Sequence, residues 1–229
     1  DRLTHQPLSF SVSETTEGVH IHIIDAELMG KGEKEKKDLY IEGVQNNGII
    51  NHYEYIINSE GTIEIRHVLK PEGKMPLWFP RIGLTLTVSD ALDQVKWYGR
   101  GPQENYPDRK TGYPTGIYAS TVQAMYEPYL MPQDYGLRTD VRWLQLTTDK
   151  GIGLQFKMNE WFNFNIYPYS TDNLTKAMYT YQLQKQKGMT LNLDYATTGV
   201  GCTARGVFGA YKAMPQEYRR TISIKPMMK

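Results

Sequence analysis

Short segments in which apolar and polar residues alternate recur along this 229-residue chain, and they limit its fold more than any other feature. Residues 8–12 (LSFSV), 19–23 (VHIHI) and 162–167 (FNFNIY) all follow this pattern. Because successive side chains of a strand point to opposite faces, the pattern predicts strands. In residues 162–167 it puts Phe162, Phe164 and Ile166 on one face.

Clusters of turn-forming residues separate several of these segments. Residues 58–61 (NSEG) and 148–151 (TDKG) each join two apolar runs and predict two hairpins. Further strands are predicted at 38–44, 78–88, 189–196 and 218–226. The charged run at 31–37 (KGEKEKK) is read as a solvated loop, with a basic ligand patch as the alternative.

One helix is predicted, capped near Thr171 and Asp172 and extending through residues 173–184. Strands and helices do not alternate, which argues against a parallel sheet. The sequence also has no internal repeat and no proline- or serine-rich linker. We therefore expect an all-β fold: one large antiparallel two-sheet domain that spans residues 1–229.

Charge and cysteine content exclude some classes of function. With 26 basic and 25 acidic side chains, the formal charge of +1 gives no general attraction to nucleic acid or anionic membranes. No apolar run approaches the roughly 18 residues of a membrane span. A single cysteine, Cys202, forms no internal disulfide, which fits the cytosol and leaves the periplasm open. The chain starts at Asp1 and not at Met, so we expect it to be a piece of a longer protein, and the absence of a visible signal peptide then says little about its location.

The densest chemistry lies in residues 97–109, WYGRGPQENYPDR. Its carboxylates, Glu104 and Asp108, suggest glycoside hydrolysis, which needs two carboxyl groups about 5 Å or about 6.5–9.5 Å apart. Arg100 and Arg109 flank them, however, and a neighbouring arginine favours the ionised form, which does not suit a general acid. The residues therefore favour a structural turn that two ion pairs hold in place, and not an active site.

Histidines offer a weaker indication of a metal site. His20 and His22 share one face of a predicted strand, but no third ligand is near them in sequence. We expect two exposed histidines here, alternating with buried apolar residues. Those apolar residues are Val19, Ile21 and Ile23. His52 and His67, on opposite arms of one hairpin, are read in the same way.

Cys202 lies in the glycine-rich stretch 197–206, TTGVGCTARG. No histidine or helix start accompanies it, so a buried, unreactive cysteine is predicted. Gly199 and Gly201 lack the third glycine and the strand–turn–helix context of a nucleotide-binding loop, and that reading is rejected.

Residues 97–109 closely resemble a signature near the C-terminus of the large β-galactosidases of glycoside hydrolase family 2. Similar family segments match five further stretches in the family's order. These stretches are 78–88, 126–143, 162–170, 174–183 and 191–201. The resemblance covers essentially the whole chain.

The resemblance implies a C-terminal, small-chain domain with an antiparallel β-supersandwich fold similar to galactose mutarotase. Catalysis, and the magnesium and sodium ions, would then belong to a preceding barrel, with no catalytic residue and no metal in this chain. The implied partners are the rest of the same glycosidase chain or a large subunit, and a β-galactoside sugar. A homo-oligomer of the full enzyme stays open, as does a cytoplasmic or periplasmic location in a bacterium.

The resemblance also assigns roles to residues. Within the signature it implies that five side chains organise the domain: Arg100, Glu104, Asn105, Asp108 and Arg109. In family members a tryptophan after the late glycines stacks on sugar, but this sequence has Gly206 there. We expect nearby residues to supply substrate contacts instead, and it stays open which β-glycoside is cleaved. These residues are Cys202, Thr203, Arg205 and Phe208.

Two other functions remain open at this point. A stand-alone protein similar to aldose 1-epimerase would need an acid and a base facing one sugar ring, for which His52, His67 and Glu54 are candidates. A carbohydrate-binding module would use exposed tryptophans and tyrosines as stacking platforms.

Overall fold

The computed structural model describes residues 3–29, 47–202 and 206–228. The chain divides into two compact units. Unit 1 comprises Asp1–Phe79 and Met214–Lys225, and unit 2 comprises Pro80–Ala213 and Pro226–Lys229. The predicted loop at 31–37 and strand at 38–44 lie outside the described residues. A single domain over residues 1–229 stays a prediction.

Unit 1 is an antiparallel sheet. Its strands are β1 (Leu3–Thr15), β2 (Gly18–Met29), β3 (Gly48–Ile57), β4 (Ile63–Glu72) and β11 (Tyr218–Met227). They are hydrogen-bonded in the order β1-β2-β3-β4-β11. Ile49, Ile65, Leu69 and Ile222 on the last three of these strands are buried and contribute to the apolar core.

The predicted hairpin at residues 58–61 is confirmed and joins β3 to β4. Gly61 N–H donates to the Asn58 carbonyl at 3.0 Å, and the Asn58 side chain accepts from the amides of Glu60 and Thr62, each at 3.0 Å. Gly61 has φ of 75°, a conformation that suits glycine. The turn residues therefore fix the register of this hairpin.

Unit 2 is also antiparallel, with one short helix. Its strands are β5 (Arg81–Val88), β6 (Gln94–Arg100), β7 (Thr115–Thr121), β8 (Arg138–Thr147), β9 (Gly153–Tyr167) and β10 (Met189–Thr197). Pairing runs β5-β10-β9-β8-β6-β7. The second predicted hairpin, at residues 148–151, is confirmed between β8 and β9. The all-β, antiparallel class predicted from the sequence is thus confirmed in both units.

The strand β9 is buried on both faces at its end. Phe162, Phe164 and Ile166, predicted to share one face, are buried, but so are Asn165 and Tyr167 on the other face. The amide groups find partners there: Asn192 Nδ2 of β10 donates to Asn165 Oδ1 at 2.8 Å. The alternation of apolar and polar residues therefore predicted a strand correctly, but its polar residues do not lie on an exposed face.

The predicted helix is right at its start and wrong in its length. The helix α1 covers Thr171–Lys176, and Ser170, one residue before the predicted cap, accepts from Asn173 N–H at 3.0 Å. A 3₁₀ turn at Thr180–Gln182 follows. The Asn173 side chain contacts the backbone of Gln182 and Gln184, which replaces helical hydrogen bonds. No helix in the described part of the chain is long and apolar enough to cross a membrane.

Candidate functional site

The signature segment, defined here as residues 97–109, begins on β6 and turns sharply at its end. Trp97 is fully buried, packs edge-on against Phe164 with ring centroids 5.9 Å apart, and donates from Nε1 to the Arg100 carbonyl at 3.0 Å. The Gly101–Pro102 peptide bond is cis. Trp97 therefore anchors the point where the segment leaves the sheet.

Glu104 is the centre of the segment's hydrogen bonds. Its carboxylate accepts from Arg109 Nη2 at 2.6 Å, from the Gly136 amide at 2.9 Å, and from the Tyr129 hydroxyl. The Tyr106 hydroxyl lies 3.4 Å away. The Glu104 side chain is only 7% exposed. Two oxygens thus meet four donors from three separate parts of unit 2.

These donors decide the charge of Glu104. Burial acts to raise its pKa, but the hydrogen bonds from Tyr129, Gly136 and Arg109 outweigh burial and lower the pKa below its ordinary value. Glu104 is therefore an ionised acceptor at neutral pH. A general acid needs the opposite property, a proton held near neutral pH.

Asn105 attaches the segment to the start of β8. Its backbone N–H donates to the Leu137 carbonyl at 2.8 Å, and its side-chain oxygen accepts from the Thr139 amide at 3.1 Å and from the Thr139 hydroxyl. The amide nitrogen donates to the Gln103 carbonyl at 3.0 Å. Asn105 is fully buried, so these bonds satisfy a polar group that would otherwise be costly to bury.

The two signature arginines have different partners. Arg109 forms one predicted ion pair within the segment, with Glu104. Arg100 pairs instead with Asp140, outside the segment, with Nε to Oδ2 at 2.6 Å. Lys110 Nζ contacts the same carboxylate at 2.8 Å. Burial opposes the charge of Asp140, but Lys110 and Arg100 outweigh it and lower its pKa.

Asp108 connects the signature segment to the glycine loop, defined here as residues 199–208. Its two carboxylate oxygens accept from the backbone amides of Val200 at 3.0 Å and Gly201 at 2.7 Å. The contact depends on Gly199: a Cβ there would lie 2.3 Å from the Asp108 carboxyl carbon. One side chain thus holds together two parts of the chain that are 92 and 93 positions apart.

Other residues of the glycine loop are exposed. The Phe208 side chain is 68% exposed, and Cys202 is an exposed free thiol. The prediction of a buried cysteine is therefore wrong, because the loop leaves the sheet after β10 and carries Cys202 to the surface. Thr203 and Arg205 lie outside the described residues. A Cβ at Gly206 would meet nothing within 4 Å.

The histidine pair on β2 differs from its prediction. The His20 side chain is only 12% exposed and His22 is 51% exposed. Val19, predicted to be buried, is 37% exposed. Glu54 of β3, which lies directly opposite His22, brings a carboxylate beside both rings. The sequence did not reveal this neighbour, because His22 and Glu54 pair between adjacent strands but are 32 residues apart in the chain.

The hairpin histidines do not face one another. His67 lies opposite Tyr53 and stacks on it at 4.2 Å, whereas His52 and Glu54 point to the other face of the sheet. Burial lowers the pKa of His67 to about 4, with His52 adding to the effect, and its Nε2 lies 2.9 Å from Asn51 Oδ1. His67 and Glu54 therefore lie on opposite faces and do not form an acid–base pair for one sugar ring.

A second buried carboxylate, Asp194 of β10, was not singled out in the sequence. Arg81 Nη2 lies 3.2 Å from Asp194 Oδ2, and the Thr197 hydroxyl donates to that oxygen at 3.2 Å. Burial raises the pKa of Asp194 to about 6, against the opposing attraction of Arg81. Its side chain is 2% exposed, so it offers no surface to a substrate.

Sequence reasoning also missed the partners of the signature residues. Tyr129, Gly136, Thr139 and Asp140 supply the contacts described above. All four fall within residues 126–143, a stretch that resembles the same family, and this was the available signal. Nothing in their spacing indicates that they converge on Glu104, Asn105 and Arg100.

Comparison with known proteins places this geometry in a family. The model of the family described as "Beta galactosidase small chain" matches residues 9–224. A β-galactosidase of Priestia megaterium is 38% identical over 147 residues, which cover 64% of this chain and 14% of the relative. One from Psychromonas ingrahamii is 33% identical over 154 residues, covering 67% of this chain and again 14% of the relative. The chain thus corresponds to a small part of its relatives' length.

Among solved structures, a GalM/aldose epimerase homologue from C. elegans aligns with 95% of this chain and 68% of its own. The TM-score is 0.45 and the sequence identity 11%. The family match covers nearly all of the sequence, including the whole signature segment and the glycine loop. This chain therefore belongs to the β-galactosidase small-chain family.

Proposed function

We propose that this chain is the non-catalytic C-terminal part of a β-galactosidase, whose full-length form hydrolyses terminal β-D-galactose residues. Its role is to support the catalytic domain and to present the glycine loop to the sugar. The observation that carries the proposal is the Asp108 bridge, in which both carboxylate oxygens hold backbone amides of the loop. Each named β-galactosidase relative is far longer than the segment it shares with this chain.

The carboxylates of the signature segment suit this supporting role. Glu104 is saturated with donors and has a lowered pKa, which makes it a poor general acid. Both oxygens of Asp108 accept hydrogen bonds from loop amides, so this carboxylate already serves to hold the loop in place. With Arg100, Asn105 and Arg109, these residues organise unit 2. The catalytic carboxylates, and the magnesium and sodium ions, are proposed to lie in the remainder of the enzyme.

Exposed side chains near the loop can make the sugar contacts. Phe208 is 68% exposed, and an aromatic ring of this kind stacks on the apolar face of a pyranose. Val200, 52% exposed, adds an apolar surface, and Cys202 lies beside Gly201. Thr203 and Arg205 remain proposed contacts that lie outside the described residues.

The partners follow from this role. The chain would pack against the other domains of the same glycosidase or against a separate large subunit. The substrate class is a β-galactoside, and the loop's composition is expected to decide which one. A homo-oligomer of the complete enzyme is compatible with this assignment.

The test is Asp108→Ala in the full-length enzyme. Releasing the Val200 and Gly201 amides should displace the loop and lower kcat/KM for β-galactosides by about tenfold or more, because small displacements of positioning groups cost rate steeply. Asp149→Ala, at an exposed turn, is the matched control and should leave kcat/KM unchanged.

Phe208→Ala distinguishes a direct contact with the sugar from a purely structural role of the loop. If the ring stacks on sugar, KM should rise while thermal stability stays the same, because the side chain is exposed. Unchanged kcat and KM in both Asp108→Ala and Phe208→Ala would refute the role of the loop. Anomer interconversion by the isolated chain would instead indicate an epimerase.

A further inference from the structure

Three metal-ligating side chains converge on one face of the unit 1 sheet. His20, His22 and Glu54 each offer one ligand atom, and these atoms lie within 4.8 Å of one another. The histidines are two residues apart on β2 and share a face, and Glu54 on β3 is the direct cross-strand neighbour of His22. We propose that these three side chains bind a divalent transition metal ion, with Zn²⁺ as the ion that suits them.

One of the ligand distances already matches a shared ion, and the other is about half an ångström longer. His20 Nδ1 lies 3.4 Å from Glu54 Oε1, and His22 Nε2 lies 3.9 Å from the same oxygen. Two ligands bound to tetrahedral zinc at about 2.0–2.1 Å stand about 3.4 Å apart. Small side-chain rotations therefore bring all three atoms into coordination, without movement of either strand.

A neighbouring ion pair orients the carboxylate. Arg66 Nη1 donates to Glu54 Oε2 at 3.1 Å, which leaves Oε1 turned toward the histidines. Arg66 Nε is paired with Glu64 at 2.8 Å, so its charge is partly neutralised. Outer partners of this kind fix the orientation of a carboxylate ligand before metal arrives.

The cluster is open to solvent on one side. The His22 side chain is 51% exposed and Glu54 is 26% exposed, so an ion can enter and keep water as a fourth ligand. His20 is 12% exposed. Its Nε2 is buried without a hydrogen-bond partner in the part of the chain that the structure describes, which leaves Nδ1 as the accessible nitrogen.

The ligand set also selects the ion. Two imidazoles and one carboxylate suit Zn²⁺ and similar transition metals, whereas Mg²⁺ prefers octahedral oxygen ligands. Because the ligands come from β2 and β3, the bound ion would link neighbouring strands. We therefore expect a site that is distinct in chemistry from a magnesium site and that stabilises unit 1.

The experiment measures Zn²⁺ binding to the native protein that contains this chain. The protein is stripped with chelator and titrated with Zn²⁺ in buffer containing excess Mg²⁺, with bound zinc counted by mass spectrometry of the metal. Wild type should bind one equivalent more than His22→Ala. Glu54→Gln should weaken the binding at this site about tenfold or more. Any zinc bound elsewhere is common to all three proteins and cancels in the comparison.

His52→Ala is the matched control, since His52 is exposed and lies on the same strand and face as Glu54 but outside the cluster. It should keep the wild-type stoichiometry. Equal zinc binding by wild type and both site variants would overturn the proposal, as would an equal loss in His52→Ala, which would indicate non-specific binding to surface histidines. Glu54→Gln keeps the side-chain shape and serves as the decisive variant if His22→Ala does not fold.

Discussion

Glu104 and Asp194 are both buried carboxylates of unit 2, and each faces an arginine, yet their pKa values move in opposite directions. The pKa of Glu104 is lowered, while that of Asp194 is raised to about 6. Glu104 accepts from Arg109, Tyr129 and a backbone amide. Among the described residues, Asp194 meets only Arg81 and the Thr197 hydroxyl.

The comparison teaches that an arginine alone does not determine the charge of a buried carboxylate. Each ion loses the hydration it had in water, and hydrogen-bond donors must replace that hydration. At Glu104 the donors outnumber the oxygens, so the charged form is favoured. At Asp194 the donors replace the lost hydration only in part, and the nearby Asp134 carboxylate adds electrostatic repulsion.

The largest expected effect comes from removing Glu104. Glu104→Ala leaves Arg109, Tyr129 and the Gly136 amide without their shared acceptor, and it should lower the free energy of unfolding by about 3 kcal/mol or more. Hydrogen–deuterium exchange of the unit 2 amides measures this loss region by region. Glu60→Ala, in an exposed turn, should change stability by less than about 0.5 kcal/mol. Equal effects of the two substitutions would contradict the central role of Glu104.

The second prediction concerns pH and Asp194. Its folded pKa of about 6 lies above the ordinary value of 3.8, so the native state holds this proton more tightly than the unfolded state. The contribution of Asp194 to stability is therefore fully present below about pH 4 and is lost as pH rises through about 6. Asp194→Asn imitates the protonated form and should be more stable than wild type at pH 7, by about 2–3 kcal/mol.

The measurement is the unfolding free energy of both proteins at pH 4, 5, 6 and 7. The advantage of Asp194→Asn should grow across this range and be close to zero at its acidic end. His67, whose pKa burial lowers to about 4, acts equally in both proteins and cancels in the difference. A variant that is less stable than wild type at pH 7 would show that the Arg81 pairing outweighs burial.

The smallest effects should come from removing one hydroxyl at each carboxylate. Tyr129→Phe and Thr197→Val each delete one hydrogen bond to a buried carboxylate, and Thr197→Val also removes the bond that the hydroxyl accepts from Asn163 Nδ2. Each substitution should cost about 1–2 kcal/mol. The cost of Tyr129→Phe should shrink in acid, where Glu104 is protonated. Tyr181→Phe, whose ring is 79% exposed, is the control and should be neutral within error. A cost that is the same at all pH values would mean that Tyr129 does not respond to the charge of Glu104.

Local chemistry made much of the fold predictable. The turn residues at 58–61 and 148–151 identified both hairpins, because turn geometry depends on the residues within the turn. The helix was found but drawn too long, since the competing side-chain bonds of Asn173 and Gln182 depend on how the chain folds back. Asn165 and Tyr167 are buried and contact Asn192 of β10 and residues 134–135, which no property of their own segment reveals.

The candidate site was predictable only in part, for a related reason. The density of charged groups marked residues 97–109, but the partners that determine their chemistry are distant in sequence. Asp140 lies 40 residues from Arg100, and Glu54 lies on the strand that pairs directly with that of the histidines. The register between two strands depends on the whole sheet, so these cross-strand neighbours could not be predicted from the sequence of either strand.

The Asp108 bridge has a consequence for the order in which the protein assembles. Its partners at Val200 and Gly201 lie beyond β7, β8, β9 and β10 in the chain, so the contact closes a loop of 92 residues. Contacts between such distant positions form after the strands between them have come together, because closing a long, unstructured loop carries a high entropic cost. The glycine loop should therefore take its position late in folding. Changes in its sequence would then alter the lifetime of the folded protein more than the speed at which the chain folds.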